Sequence, residues 1–410
     1  MNAFVFSILS AKLRVRAMLL CVLISSFSTS LQAIEWDTEL SAEIRSFLHE
    51  PLNPLQANEN FSVSLESEFY YDWDDDNQRL LIKPFMRWDS QDSERSHVDL
   101  REFYWRKTFS QLDMDLTLGL NKVFWGVTES VHLVDIINQT DGVENLDGED
   151  KLGQPMVNLT LDKDWGVLDV FVLPYFRERT FAGQEGRPGF PLTINLDKAL
   201  YASGAEKKHV DVALRYSQVF GDWDIGIAHF SGTSREPDLV PTFDLSGASL
   251  TPFYDQIEQS SIDLQATLEN WLWKLEAITR DAEHSDRYFA FAGGFEYSFY
   301  DLGQKGVDLG LIGEYLFDDR KEYASSAFQN DVFLGGRFAF NDENNTDLLA
   351  GLAFDMDNQS RFLSIEGSSR IGQDMRVSLE VRLFSVDDTR DILYSVRNDD
   401  YFGINLTRFF

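Results

Sequence analysis

The chain is almost without cysteine. Its one thiol, Cys21, lies near the N-terminus, so the remainder has no means of forming disulfides or thiolate metal sites. Long apolar runs are missing as well. Past the N-terminal stretch nothing approaches eighteen consecutive apolar residues, which excludes membrane-spanning helices. Positive charge is scarce: 36 Lys and Arg stand against 68 Asp and Glu, a formal net charge of −32. So acidic a chain is no candidate for nucleic-acid binding. The six histidines, His49, His97, His132, His209, His229 and His284, form neither an H-E-x-x-H pattern nor any i, i+4 pair. No G-x-S-x-G elbow occurs. Internal repeats, heptads and low-complexity blocks are likewise absent.

What is present is an unusual mixture. Aromatic residues make up 14% of the chain, yet the mean hydropathy is −0.26. Strands that alternate between a lipid face and a wet face produce this combination.

The N-terminus reads as a cleaved secretory signal over residues 1–33. Lys12, Arg14 and Arg16 precede a short apolar run from Ala17 to Ile24, and Leu31-Gln-Ala33 supplies a small-residue cleavage site. The run is too short for a transmembrane helix. Leu20 before Cys21 speaks against a lipoprotein. Removing residues 1–33 removes three positive charges and no negative ones, taking the net charge to −35. Residues 34–410 then form one domain.

Period-two alternation recurs along that domain. Met375, Val377, Leu379, Val381 and Leu383 alternate with Asp374, Arg376, Ser378, Glu380 and Arg382. Segments 36–48, 112–121 and 286–300 behave similarly. The pattern predicts eighteen strands: 36–48, 59–73, 78–90, 95–109, 112–124, 154–163, 167–176, 208–219, 222–232, 256–269, 271–283, 286–300, 305–317, 329–341, 346–357, 360–370, 374–385 and 399–410. Sixteen would require one hairpin to be a loop excursion.

The connections sort by parity. Every second one is a tight turn, as at Asp74–Asn77, Gly221 and Asn270. The longest, 125–153, 177–207, 233–255, 318–328 and 386–398, all fall on the other parity. A soluble sandwich has no reason to segregate loop lengths, whereas an outer-membrane barrel has short periplasmic turns and long outer loops. Trp73, Phe109, Trp165, Trp223, Trp271 and Phe340 flank the short-turn end, as an aromatic girdle would. Phe402, Ile404, Leu406 and Phe410 alternate to an aromatic terminus, although Arg408 interrupts the pattern. This ending looks like the closing strand of a bacterial outer-membrane barrel, the segment that the assembly machinery reads. The expected fold is therefore all-β: a transmembrane, antiparallel, up-and-down barrel of about eighteen strands in the bacterial outer membrane, in contact with its lipid and lipopolysaccharide.

The most distinctive connection is 125–153. The pattern Gly119…Lys122…Trp125-Gly126…Glu129, with Asp135, Asn138 and Asp141 beyond, resembles a family of poorly characterised Gram-negative outer-membrane porin-like barrels. The resemblance covers about thirty residues and implies that the segment folds inward at the pore. Gly126 beside Trp125 would let the chain leave the wall sharply. Glu129, Asp135, Asp141 and Glu144 would form an acidic lip. By alternation Arg45, Lys83, Arg87, Arg101, Lys107, Arg376 and Arg382 point inward. Lys83, Arg87, Arg101 and Arg376 are the expected basic side of a constriction. A solvated outer loop, or inward charges merely paired with inward acids, are the plainer alternatives.

Inward acids outnumber inward bases about two to one, which implies a modest cation preference. The function expected is passive diffusion of small hydrophilic solutes, without catalysis or cofactor. Weak Ca2+ binding by Asp141, Glu144, Asp147, Glu149 and Asp150 is conceivable, though their spacing is not that of an EF-hand. The alternative is a closed barrel that binds or anchors surface polysaccharide through Phe181, Phe190, Tyr201, Phe243 and Tyr254. A third is an outer-membrane hydrolase using Ser130, His132 and Asp135. A homotrimer is a further expectation, but no flat apolar patch is evident to support it.

Overall fold

The computed structural model describes residues 34–244 and 247–410, except for the side chain of Asp244. The expected signal over residues 1–33 lies outside the described residues. Twenty-one strands follow in chain order: β1 (Glu35–Phe47), β2 (Glu59–Trp73), β3 (Gln78–Asp89), β4 (His97–Phe109), β5 (Met114–Asn121), β6 (Gln154–Lys163), β7 (Gly166–Leu173), β8 (Leu200–Tyr201), β9 (Asp211–Phe220), β10 (Trp223–Thr233), β11 (Asp238–Asp244), β12 (Gly247–Tyr254), β13 (Gln256–Leu268), β14 (Trp271–Ala282), β15 (Tyr288–Phe299), β16 (Asp308–Asp318), β17 (Asn330–Ala339), β18 (Asp347–Asp355), β19 (Arg361–Ile371), β20 (Met375–Ser385) and β21 (Tyr401–Phe409).

Eighteen of these form one antiparallel sheet in which each strand pairs with its neighbours in sequence. The sheet closes through β1 and β21, in register from Glu39↔Phe409 to Phe47↔Tyr401. Closure leaves no edge with unpaired backbone groups, the condition for crossing hydrocarbon with strands. The three remaining strands, β8, β11 and β12, form a small separate sheet in the connections on the long-loop side.

The lipid face follows from the alternation. Trp36, Leu40 and Ile44 on β1, and Phe402, Ile404 and Leu406 on β21, are exposed on the outside. Inside the seam, Ser41 and Thr407 hydroxyls meet at 2.8 Å. At the tight-turn end, Asp74, Asp75 and Asp76 all take positive φ, a conformation that short polar side chains tolerate.

One irregularity matters for the lumen. Between β3 and β4 the register runs Lys83↔Glu102 and then Pro84↔Leu100, so Arg101 is an extra residue on β4. Pro84 has no N–H to contribute, and a bulge is where a sheet accommodates that. The bulge turns Arg101 inward, where it is buried. It also reverses the alternation beyond it. Lys107, expected inside, lies between Trp105 and Phe109 on the outer face, while Glu102, Tyr104 and Arg106 take the inward positions.

The lumen is filled unevenly. Inward polar side chains towards the long-loop end, among them Ser62, Asp89, Arg280, Asp318 and Asp355, are buried, whereas Glu66, Glu68, Lys83 and Arg79 nearer the tight turns are only partly covered. The cover is segment 122–153.

Candidate site within the lumen

Segment 122–153 leaves β5 and packs an apolar flank against one side of the barrel. Trp125, Val134, Ile136 and Ile137 join a buried cluster with Phe171 of β7, Phe230 of β10 and Ile278 of β14. Trp125 meets Phe171 edge to face at 5.6 Å, and the Arg215 guanidinium lies 5.1 Å from the Trp125 ring centroid. Gly126 passes close to the wall. A Cβ there would sit 2.8 Å from His132 Nδ1 and 3.2 Å from Glu276 Oε1.

Two inward carboxylates hold the start of the segment by its backbone. Glu276 on β14 accepts from the N–H groups of Val127 (2.7 Å), Thr128 (3.0 Å) and Val134 (3.1 Å), and from the Thr128 hydroxyl (2.8 Å). Glu314 on β16 accepts from the N–H groups of Glu129 (2.8 Å) and Ser130 (2.9 Å), and from the Ser130 hydroxyl (2.6 Å). A segment without regular structure must find partners for its buried N–H groups, and these wall carboxylates supply them.

The far end of the segment is held by arginines. Asp141 is bound to Arg101, and Glu144 lies 2.7 Å from Arg87. The Arg45 guanidinium donates to the Glu144 carbonyl at 3.1 Å, and Arg382 lies 3.3 Å from Asp147. Counted round the barrel from β1, β4 is the fourth strand and β16 the thirteenth of eighteen. The anchors therefore stand half a circumference apart, and the segment crosses the lumen.

The sequence-derived residues are distributed as follows. Asp141 and Glu144 touch Arg101 and Arg87 rather than facing them across a gap. These belong to a largely covered network of guanidinium ions (Arg45, Arg87, Arg95, Arg101, Arg177) and carboxylates (Glu43, Asp89, Asp99, Asp141, Glu144), which continues through Glu380, 4.0 Å from Arg45, to Arg382. Asp135 is buried, 3.2 Å from Lys151, and accepts from the Trp125 N–H at 3.3 Å. Burial raises its pKa despite Lys151. Glu129 lies 2.6 Å from Arg337 and 3.6 Å from Lys274, two bases outside the expected set. Lys83 meets Glu66 at 2.9 Å, and Arg376 stacks on Phe409 at 5.7 Å; neither touches the segment.

The exposed carboxylates of the segment are Glu149 and Asp150, together with Asp147, which sits on Arg382. The Glu149 side chain is 66% exposed, and it shares the lumen with Glu366 on β19, 46% exposed, and Arg337 on β17, 43% exposed. Thus the crossing segment leaves a wet gap beside β16–β20. Within it the Asp150 carboxyl is pushed up to about 7, first by its depth inside the protein and then by Asp147 and Glu144. His132 is held above its ordinary range: burial opposes its charge, but the Glu276 carboxylate outweighs burial. Of the five acids named for calcium, Asp141, Glu144 and Asp147 each meet a guanidinium, as described.

Ser130, His132 and Asp135 do not converge. Ser130 is on Glu314, His132 lies 3.8 Å from Glu276, and Asp135 is on Lys151. The loop aromatics are largely spent on one another. Phe176, Tyr201 and Tyr254 stack together, Phe181 meets Phe190, and Tyr254 is fully buried; Phe243 alone of the five is strongly exposed.

No family model matches the sequence, and neither does any curated protein. Solved structures do resemble it in fold. Wzi, an Escherichia coli outer-membrane protein involved in group 1 capsule assembly and described as a carbohydrate-binding β-barrel, superposes with a TM-score of 0.52 at 10% identity, over 90% of this chain and 84% of that one. The fold is that of a bacterial outer-membrane β-barrel. OprB of Pseudomonas putida (TM-score 0.48, 11% identity, 92% and 94% covered) and a Rhodopseudomonas blastica porin (0.46, 13%, 92% and 100%) are similar at a lower level. A closed strand barrel with a lipid-facing apolar surface and an inward, charged lumen is the architecture of transmembrane barrels of the outer membrane.

Proposed function

We propose that this barrel is a passive channel for small hydrophilic solutes, narrowed by segment 122–153 and modestly selective for cations. The observation that carries this reading is the wet gap between the segment and β16–β20. Its open groups include Asp147, Glu149, Asp150 and Glu366, against Arg337 and the nearly covered Arg382. Charges lining the narrowest passage set ion preference. The test is uptake into liposomes containing the refolded protein. Lysine should enter faster than glutamate of similar size, and a small neutral sugar should fall between them. Equal exclusion of all three would sink the channel reading.

A second reading is a closed barrel that binds surface polysaccharide. It is favoured by the buried bracing over the β1–β4 side of the lumen, where Arg187 joins Asp399, Asn398, Asn58 and His49. The Wzi-like fold is compatible with it. Exclusion of all solutes together with retention of acidic polysaccharide would favour this alternative.

A further inference from the structure

Two buried carboxylates meet at the long-loop end of β17 and β18. Asp331 and Asp355 are directly opposite in the ladder, and both point inward and are buried. Cβ atoms so placed stand about 4.5–5.5 Å apart, and like charges there repel. Burial strengthens the repulsion. Other buried aspartates of this end hold a base: Asp318 has Arg320 at 2.6 Å, Asp211 has Arg235 at 2.7 Å and Asp89 has Arg95 at 3.0 Å. Among the described residues, neither Asp331 nor Asp355 forms an ion pair. On its other side Asp331 faces Leu316, which belongs to an apolar cluster with Phe333 and Ala353.

Each carboxylate uses one oxygen and keeps one. Asp331 Oδ2 accepts from the N–H groups of Gln329 (2.7 Å) and Asn330 (3.1 Å), and Asp355 Oδ1 from those of Asp357 (2.7 Å) and Asn358 (2.8 Å). Such bonds favour the ionised form. Among the described residues, nothing donates to Asp331 Oδ1 or Asp355 Oδ2. A third free oxygen shares their face. Phe354 and Arg361 pair on the outer side, so the next two residues, Asp355 and Ser360, are opposite one another on the inner side. The Asp355 N–H donates to the Ser360 carbonyl at 3.0 Å. Ser360 is buried, and its hydroxyl has no hydrogen-bond partner. Asp391, on the connection 386–398, is buried as well and accepts from Asn358 Nδ2 at 3.1 Å.

We propose that Asp331, Asp355 and Ser360 form a site for a hard divalent cation of the calcium class. All three offer oxygen, the ligand that calcium takes, and calcium tolerates the irregular geometry of a strand end and a turn. Water completes the coordination. The cation offsets the repulsion between two carboxylates that the chain leaves without a base. Through Asp355 and Asn358 it also ties the connection 386–398, at Asp391, to the rim of the barrel. The site stands apart from the acids of segment 122–153, three of which are held by guanidinium ions.

The test is heat unfolding of the refolded protein in calcium chloride or in EDTA at equal ionic strength. Calcium at about 1 mM, the range of extracellular calcium modules, should raise the unfolding temperature. Asp331→Asn/Asp355→Asn should fold, because it removes a repulsion, and should be more heat-stable than the parent in EDTA. It should need at least about tenfold more calcium for the same upward shift, since ligand charge sets calcium affinity. Ser360→Ala should weaken the response without abolishing it. Asp147→Asn/Glu149→Gln/Asp150→Asn should leave the response intact. A response that persists in the double asparagine variant, or that is lost with the segment acids instead, would place the ion elsewhere and overturn the proposal. No response in the parent, with the double variant still the more stable in EDTA, would mean that the two carboxylates share a proton, and would overturn it as well.

Discussion

Thr128 is tied to Glu276 twice: its N–H donates at 3.0 Å and its hydroxyl at 2.8 Å to the same carboxylate oxygen. Glu276 is fully buried, and it also serves Val127 and Val134. A single wall residue thus replaces the backbone partners that a helix or strand would have given this part of the segment.

Glu276→Ala should be costly for that reason. Three N–H groups would lose their acceptor, at about 1–3 kcal/mol for each buried unsatisfied group. Urea unfolding in lipid should show a loss of about 3 kcal/mol or more. Single-channel records of the same variant should be larger and noisier as the segment detaches. Unchanged stability and conductance would mean that the apolar flank alone holds the segment.

The opposite anchor should respond differently to single and paired changes. Arg101→Ala leaves the fully buried Asp141 without its cation, and breaking a buried pair typically costs about 3–5 kcal/mol. Adding Asp141→Leu should recover a substantial part of that loss. A double-mutant cycle in urea checks this, and additive effects would contradict the pairing. Arg390→Ala, on an exposed outer pair, should change nothing measurable.

Gly126→Val should destabilise the folded barrel by about 1–3 kcal/mol, the usual cost of overpacking. The added Cβ would press on His132 and Glu276 at the distances given above. Thermal or urea unfolding detects the loss. A neutral result would mean that His132 swings aside without consequence.

The gap should titrate near neutrality. With its pKa pushed up to about 7, Asp150 is an anion above that pH and neutral below it. Cation preference should therefore weaken as pH falls from 8 to 6. Asp150→Asn should give the weaker preference at both pH values and remove the step. A step that survives the substitution would assign the titration to another group, such as His132.

Much of the fold was legible because lipid imposes a simple rule on each strand. The eighteen expected strands match the eighteen of the barrel, most ends agreeing within three residues. The hairpin β11–β12 was missed because outer loops carry no lipid-driven alternation. Lys107 was misplaced because a bulge at Arg101 leaves no mark in the local pattern beyond Pro84. The lumen was harder still. Glu276 and Glu314 look like any other inward carboxylate until the segment they hold is folded against them. Arg337 and Lys274 meet Glu129 across more than a hundred residues of chain, and a single sequence does not reveal such distant pairings. Asp135, Asp141 and Glu144, expected with Glu129 as an acidic lip, lie against Lys151, Arg101 and Arg87. Their burial was not readable, and the exposed acids of the segment are Asp147, Glu149 and Asp150.

The most direct test of the channel reading is single-channel recording of the refolded protein in a planar bilayer under a tenfold salt gradient. Steady open steps are expected, with a reversal potential on the cation-selective side that shifts towards zero in Asp147→Asn/Glu149→Gln/Asp150→Asn. A folded barrel that passes no current, in the parent chain and in Glu276→Ala alike, would contradict a conducting lumen.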